Sequence, residues 1–318
     1  MSSKSLAGKQ TLYRTKRGVA SRLQEQWQLY LFLLPAVVYV LIFCYGPMTG
    51  LIIAFKKYVP SLGIFNSSWV GFSNFERLLS MRKFRVLLTN TLTLSIYSLV
   101  AGFPLPIVLA LALNSCSSRK FSRMIQTVTY APHFISTVVL VGMIVLFFNP
   151  QSGIIRFMLI KMGLLDGYLN TLINEDAFPH LYVWSDVWKN LGWGSIIYLG
   201  ALTSVDPALH EAAIVDGATK LKRIWHIDIP AILPTIVILL VLRSGELMSV
   251  GFEKAFMMQN STNLARSEII STYVYKQGIK EGQYSFASAV DLFNSVVNFI
   301  LILLTNTLAR RLTDSSLW

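Results

Sequence analysis

The side chains able to do chemistry in this chain are few, and most stand inside apolar runs. Arg243 and Glu246 lie three residues apart in an otherwise uncharged stretch, so on a helix they share a face. Asp291, Asn294 and Asn298 recur at spacings of three and four and line one side of a helix. Glu253 is a further acid close by. Trp184 and Trp188 are one helical turn apart, with Trp193 beyond. Indole rings stack on flat apolar faces of ligands, and they also form the belt at a membrane interface. Other chemistries are excluded by spacing. His210-Glu211 begins like a zinc-binding His-Glu-x-x-His helix, but Ile214 occupies the second histidine position. His133, His180 and His226 lack ligand spacing, and Cys44 and Cys116 form neither a disulfide framework nor a zinc site, so no metal is expected. No Gly-x4-Gly-Lys-Ser/Thr loop occurs, so the chain cannot cradle a nucleotide in the P-loop manner.

The elements that position these residues are membrane spans. Of 318 residues 53% are apolar and 14% charged, against roughly 25% charge in soluble proteins, and the mean hydropathy is +0.53. About 20 apolar residues cross a bilayer as a helix. Runs at residues 29–55, 86–113, 124–148, 181–202, 231–250 and 286–308 meet that length, giving about six transmembrane helices and an all-α integral membrane fold. The fourth run is weakened by Asp186 and Lys189, and the fifth is interrupted by Arg243 and Glu246. The first is too long for a signal peptide and lacks a small-residue cleavage site. Prolines 35, 47, 104 and 106 predict kinks in the first two spans. Arg at mid-membrane costs about 2.5–3.5 kcal/mol and faces a bundle interior or a wet cavity. Three roles fit Arg243: a donor to a polar solute inside the bundle, a member of an internal ion pair that positions helices, or a residue snorkelling towards an interface.

The net charge of +12 suits the anionic cytoplasmic leaflet, and no nucleic-acid module accompanies it. A basic tail, residues 1–28, precedes a membrane domain at 29–309, and residues 310–318 form a short end. Lys4, Lys9, Arg14, Lys16, Arg17 and Arg22 place the N-terminus in the cytoplasm, and an even span count returns the C-terminus there. Segments 56–85, 149–180 and 251–285 then lie outside, although the first of them is itself basic.

Between the fourth and fifth spans, Asp206 is a good N-cap, Pro207 suits the first helical position and Gly217 suits the left-handed end of a helix. A second short helix is expected from Lys220, stopping before Pro230. Glu211-Ala212-Ala213, three residues, Gly217, nine residues and then Ile227-Asp228-Ile229-Pro230 resemble the EAA loop, here residues 204–230, of permease subunits of ATP-binding-cassette importers. Ile229 replaces the usual leucine. Asp216-Gly217-Ala218 has the form seen in carbohydrate importers of the maltose-transporter type. WKNLGW at 188–193, YLGAL at 198–202, GFEK at 251–254, LFNSVVN at 292–298 and the SSLW ending resemble their polysaccharide and oligosaccharide branch.

The resemblance implies a type I importer permease fold in a bacterial cytoplasmic membrane, both termini inside, with the loop as a cytoplasmic coupling helix. Glu211, Ala212, Ala213, Asp216 and Gly217 are then the residues that engage the ATPase. Implied partners are a second related permease, two ATPase subunits that use the ATP and magnesium, and an extracytoplasmic solute-binding protein. No cofactor is expected on this chain. The expected cargo is an oligosaccharide, including the uronate-containing kind, and the candidate path residues are Trp188, Arg243, Glu246, Glu253, Asp291, Asn294 and Asn298. An ion-coupled secondary transporter, with Glu246 and Asp291 as coupling acids, is the alternative, and it leaves the loop unexplained.

Overall fold

The computed structural model describes residues 27–313, so nearly all of the basic tail and the last five residues lie outside the described part. The chain divides at Ile52/Ile53 into two units. The first carries most of α1 (Trp27–Phe55), an apolar helix with Pro35 inside it. Pro47 does not break this helix. The preceding turn, Val40–Tyr45, widens to π geometry, with Gly46 N–H donating to the Leu41 carbonyl five residues back. A proline removes one N–H and crowds the carbonyl four residues earlier, and a widened turn absorbs both faults.

The second unit opens with a short antiparallel hairpin, β1 (Lys56–Lys57) on β2 (Ser68–Trp69), and helix α2 (Ser73–Ser80). Then α3 (Arg82–Gly102) runs through Phe103 into α4 (Pro104–Asn114) as one apolar span. The third expected span is not straight. Helix α5 (Arg119–Tyr130), a tight turn at Ala131–Phe134 and α6 (Thr137–Phe147) make a 97° bend. Pro132 opens the turn, Ile135 and Ser136 are extended, and the Ser136 hydroxyl restarts the helix by accepting from Val139 N–H.

Next come α7 (Ala177–Leu202), α8 (Pro207–Val215), α9 (Lys220–Ser244), α10 (Phe252–Met258), α11 (Ile270–Tyr275) and α12 (Tyr284–Thr313). Four of the described helices are apolar and long enough to cross a membrane, and the bent pair makes five. Helix α7 has the length for a sixth, with Asp186, Lys189 and Asn190 lowering its hydropathy. The fifth span departs from expectation at both ends. It starts at Lys220 and passes Pro230 without stopping, because the turn Ile224–Asp228 widens as in α1 and Ile229 N–H reaches the Ile224 carbonyl. It ends at Ser244 rather than near Val250.

Three buried clusters hold the second unit together. Leu94, Ile144, Val183 and Ala255 join α3, α6, α7 and α10. Leu78, Leu87, Ile270 and Phe286 join α2, α3, α11 and α12. Ala110, Tyr198, Leu202 and Ile232 join α4, α7 and α9. In lipid such contacts rest on close packing, which small residues permit. Gly192 is the tightest case, since a Cβ there stands 2.2 Å from the Thr129 carbonyl oxygen.

Candidate functional site, a cavity beside a broken helix and a capped loop

Beyond Ser244 the backbone leaves the helix within the second unit, and its polar groups need other partners. The chain tightens first, with Glu246 N–H donating to the Arg243 carbonyl at 3.2 Å and Ser249 N–H to the Glu246 carbonyl at 2.8 Å. Neighbouring helices supply the rest. Asn298 Oδ1 accepts from Met248 N–H at 2.9 Å, and its amide donates to Ser249 Oγ at 2.9 Å. The Asn294 amide donates to the Met248 carbonyl at 3.1 Å, Ser95 Oγ to the Leu247 carbonyl, and Tyr182 Oη to the Gly251 carbonyl at 3.3 Å. Non-helical backbone at membrane depth survives only where protein or a wet cavity satisfies it, and here both do.

A cavity of about 310 Å³ adjoins the break, walled by α3, α4, α7, α9 and the segment after it. That volume is at the low end for a small-molecule site. Its polar lining comprises Ser95, Ser98, Asp186, Asn190, Arg243, Glu246 and Ser249, with Tyr182 and Tyr198. Arg243 Nη1 and Glu246 Oε2 are 3.9 Å apart with side chains 68% and 70% exposed, a loose pair worth about 0–1 kcal/mol and open to exchange with a solute.

On α7 the residues Asp186 and Asn190, four apart, are held in place from both sides. Asn190 donates to Asp186 Oδ1 at 3.2 Å, and its carbonyl oxygen meets His133 Nδ1 at 3.0 Å. His133 sits in the bend between α5 and α6 and stacks on Trp193 at 4.3 Å between centroids. On the other side Lys254, 5% exposed, donates to the Tyr182 carbonyl at 2.6 Å and lies 3.7 Å from Asp186 Oδ1. Burial pushes the Lys254 ammonium down to about 8, against the pull of Asp186. Nearby, Glu268 takes Lys83 at 2.8 Å and Lys276 at 2.9 Å. Burial alone would raise its carboxyl, and these two cations bring it below the usual value.

The expected path residues are distributed unevenly. Arg243 and Glu246 line the cavity; Asn294 and Asn298 bind the broken backbone; Glu253 and Asp291 are exposed and lie outside the lining. Trp188 is exposed on another face of α7, two residues from Asp186. Trp184 donates to Tyr97 Oη at 2.7 Å, and Tyr97 Oη meets His180 Nδ1 at 2.9 Å. Asp186, Asn190 and Lys254 stand outside the expected path residues, yet the first two line the cavity and the third lies against Asp186. Their signal was present: two polar residues four apart in an apolar helix, and a lysine in the GFEK stretch.

The loop folds as its residues dictate. Asp206 Oδ1 accepts from Ala208 N–H at 2.9 Å, Pro207 opens α8, and Gly217 takes φ +73°. Ala218 N–H donates to the Ala213 carbonyl at 2.8 Å and Gly217 N–H to that of Ile214 at 3.0 Å, the paired bonds of a Schellman ending. Thr219 then caps α9. Glu211, Ala212 and Asp216 are exposed and Ala213 is half-buried. Leu209, Ile214, Val215 and Trp225 stand open beside them, Val215 at 86%. The described residues hold no group of three or more His, Cys, Asp or Glu able to bind a metal.

Residues 102–314 match the family described as binding-protein-dependent transport system inner membrane component. The chain is 42% identical over 297 residues to the polygalacturonan/rhamnogalacturonan transport system permease protein YteP of Bacillus subtilis (strain 168), covering 93% of this chain and 92% of that one. It is similar to a crystal structure of a bacterial alginate ABC transporter in complex with an alginate pentasaccharide-bound periplasmic protein. There the TM-score is 0.86 at 39% identity, over 94% of this chain and 99% of that one. A second structure, of a bacterial ABC transporter involved in import of the acidic polysaccharide alginate, gives 0.85 at 40%, over 92% and 99%. These likenesses bear out the resemblance read in the EAA loop, and with it a membrane subunit that performs no catalysis itself. The chain belongs to the binding-protein-dependent transport system inner membrane component family, as a permease subunit of an ABC importer.

Proposed function

We propose that this permease carries an acidic, uronate-containing oligosaccharide into the cytoplasm, paired with a second, related permease above two ATPase subunits that bind the ATP and magnesium. A solute-binding protein delivers the cargo to the opposite face. The observation that carries this reading is the continuity of α8, one Schellman turn and α9. A capped helix with an exposed apolar edge beside Glu211 is thereby joined to a span whose far end sets Arg243 on the cavity wall. Ala212 and Ala213 keep that edge low enough for close docking, and Asp216 and Gly217 fix the turn.

Charge supports the orientation. Lys220 Nζ donates to Ser117 Oγ at 3.2 Å, so the basic groups at Lys220, Lys222 and Arg223 share one end with Arg119, Lys120 and Arg123. Such a cluster belongs on the cytoplasmic side. For the cargo, relatives named for polygalacturonan and alginate support an acidic glycan. Arg243 offers a fork for carboxylate, while Asp186, Asn190, Glu246 and the serines suit hydroxyls.

The test is a mild-detergent pull-down from native membranes. The unmodified chain should bring down an ATPase and a second permease in stoichiometric amount, and Gly217→Arg at equal membrane level should lose the ATPase. Recovery of the chain alone, under crosslinking too, would overturn the coupling role of the loop.

A further inference from the structure

One group of charges remains outside the cavity and outside the docking edge, at the joint between α8 and α9. His210 is on α8, on the side turned from solvent, with its side chain 25% exposed. Its Nε2 lies 3.3 Å from Oδ1 of Asp228, whose side chain is only 3% exposed. Asp228 occupies the widened turn Ile224–Asp228, two residues before Pro230. Arg223, one turn earlier on α9, acts electrostatically on the same carboxylate. Among the described residues Asp228 Oδ1 and Arg223 Nε are buried and outside hydrogen-bond geometry, so the 3.3 Å approach of His210 is the contact that reaches this carboxylate oxygen.

We propose that His210 and Asp228 are positioning residues that clamp α8 to the root of α9, so that displacement of the loop is delivered to the cavity wall instead of being absorbed in the turn. The backbone alone gives a weak lever. Between Val215 and Lys220 the chain has a left-handed glycine and a four-residue connection, which bends readily. The side-chain clamp spans that connection from His210 to Asp228, eighteen positions on. It closes a triangle of α8, the turn and the first turns of α9, and Arg223 on the same helix adds an electrostatic attraction for the acid. The widened turn places Asp228 on the side facing α8 while letting the helix continue past Pro230 to Arg243.

This inference rests on the coupling role proposed above, and its test separates the two. The intact complex bearing His210→Ala, His210→Gln or Asp228→Asn is reconstituted with its binding protein, and ATP hydrolysed per solute imported is measured beside ATPase retention. His210→Ala should retain the ATPase and its hydrolysis but import on the order of tenfold less solute per ATP, the scale of coupling between two sites. His210→Gln, which keeps a donor near the acid, should restore import to within about threefold, and Asp228→Asn should behave like His210→Ala. Unchanged import per ATP in His210→Ala with the ATPase bound overturns the clamp. So does loss of the ATPase from His210→Ala, which moves the residue into the docking surface. Absence of an ATPase from the unmodified complex overturns the coupling role itself.

Discussion

The crossing of α7 over the end of α5 sets the position of Asp186, Asn190 and His133, and it depends on one missing methyl group. A Cβ on Gly192 falls 2.2 Å from the Thr129 carbonyl oxygen, 2.4 Å from its carbon and 2.8 Å from the Tyr130 ring. The obstacle is backbone, which cannot rotate away, so Gly192→Ala must drive the helices apart by about 1 Å. A gap of that size forfeits a quarter to a half of each dispersion contact along the seam, and overpacking of this kind costs about 1–3 kcal/mol. Against it stands the better helix propensity of alanine, about 1 kcal/mol. The net expectation is destabilisation of about 1 kcal/mol, and at most about 2. Two other glycines of the same helix calibrate it. At Gly194 the added carbon meets the Pro106 ring at 3.2 Å, where a small shift of the ring suffices, so Gly194→Ala should be nearly neutral. At Gly200 nothing among the described residues lies within 4 Å, and alanine should stabilise by up to about 1 kcal/mol. Thermal unfolding of the purified chain in mild detergent, followed by loss of the monodisperse peak, should rank Gly200→Ala above Gly194→Ala above Gly192→Ala. A Gly192→Ala variant as stable as Gly200→Ala would refute the close crossing.

Other outcomes follow from the same geometry. Burial lowers the Lys254 ammonium from 10.5 to about 8, so between those pH values the unfolded chain binds more protons and stability rises with pH. At 1.36 kcal/mol per pH unit the gain is at most about 3 kcal/mol. The melting temperature should climb through that window, and Lys254→Met should flatten the climb. Gly217 has a left-handed φ, and among the described residues nothing lies within 4 Å of a Cβ there. Asparagine tolerates that conformation, so Gly217→Asn should keep near-normal uptake in whole cells where Gly217→Arg abolishes it. Asn298→Ala strips the partner from Met248 N–H and should cost about 1–3 kcal/mol with reduced uptake. Asp291→Asn, away from the broken segment and the cavity lining, should change neither.

Much of this architecture was legible in the residues. Apolar run length located the spans because a bilayer demands it, and Asp206, Pro207 and Gly217 marked the loop helix because caps and left-handed ends restrict residue choice. What escaped notice was hydrogen bonding. Pro47 and Pro230 read as a kink and a stop, yet each is absorbed by a widened turn that hydropathy does not register. The end of α9 at Ser244 was hidden because Leu247, Met248 and Val250 continue the apolar run, while partners on other helices, 152, 46 and 50 positions away, satisfy the freed backbone. Asn294 and Asn298 were seen as a polar face, which they are. The face is turned to the broken backbone. Asp186 counts against the fourth span as a charge, and its place in the cavity wall depends on Lys254, 68 positions on, as well as on its neighbour Asn190.

The most direct test of the account is transport by the reconstituted complex, comparing trigalacturonate with its fully methyl-esterified, neutral counterpart. The account predicts ATP-dependent uptake of the acidic trisaccharide, lost on Gly217→Arg and weakened on Arg243→Gln, with little uptake of the ester. Equal or better uptake of the neutral ester, or uptake that persists without ATP, would contradict it.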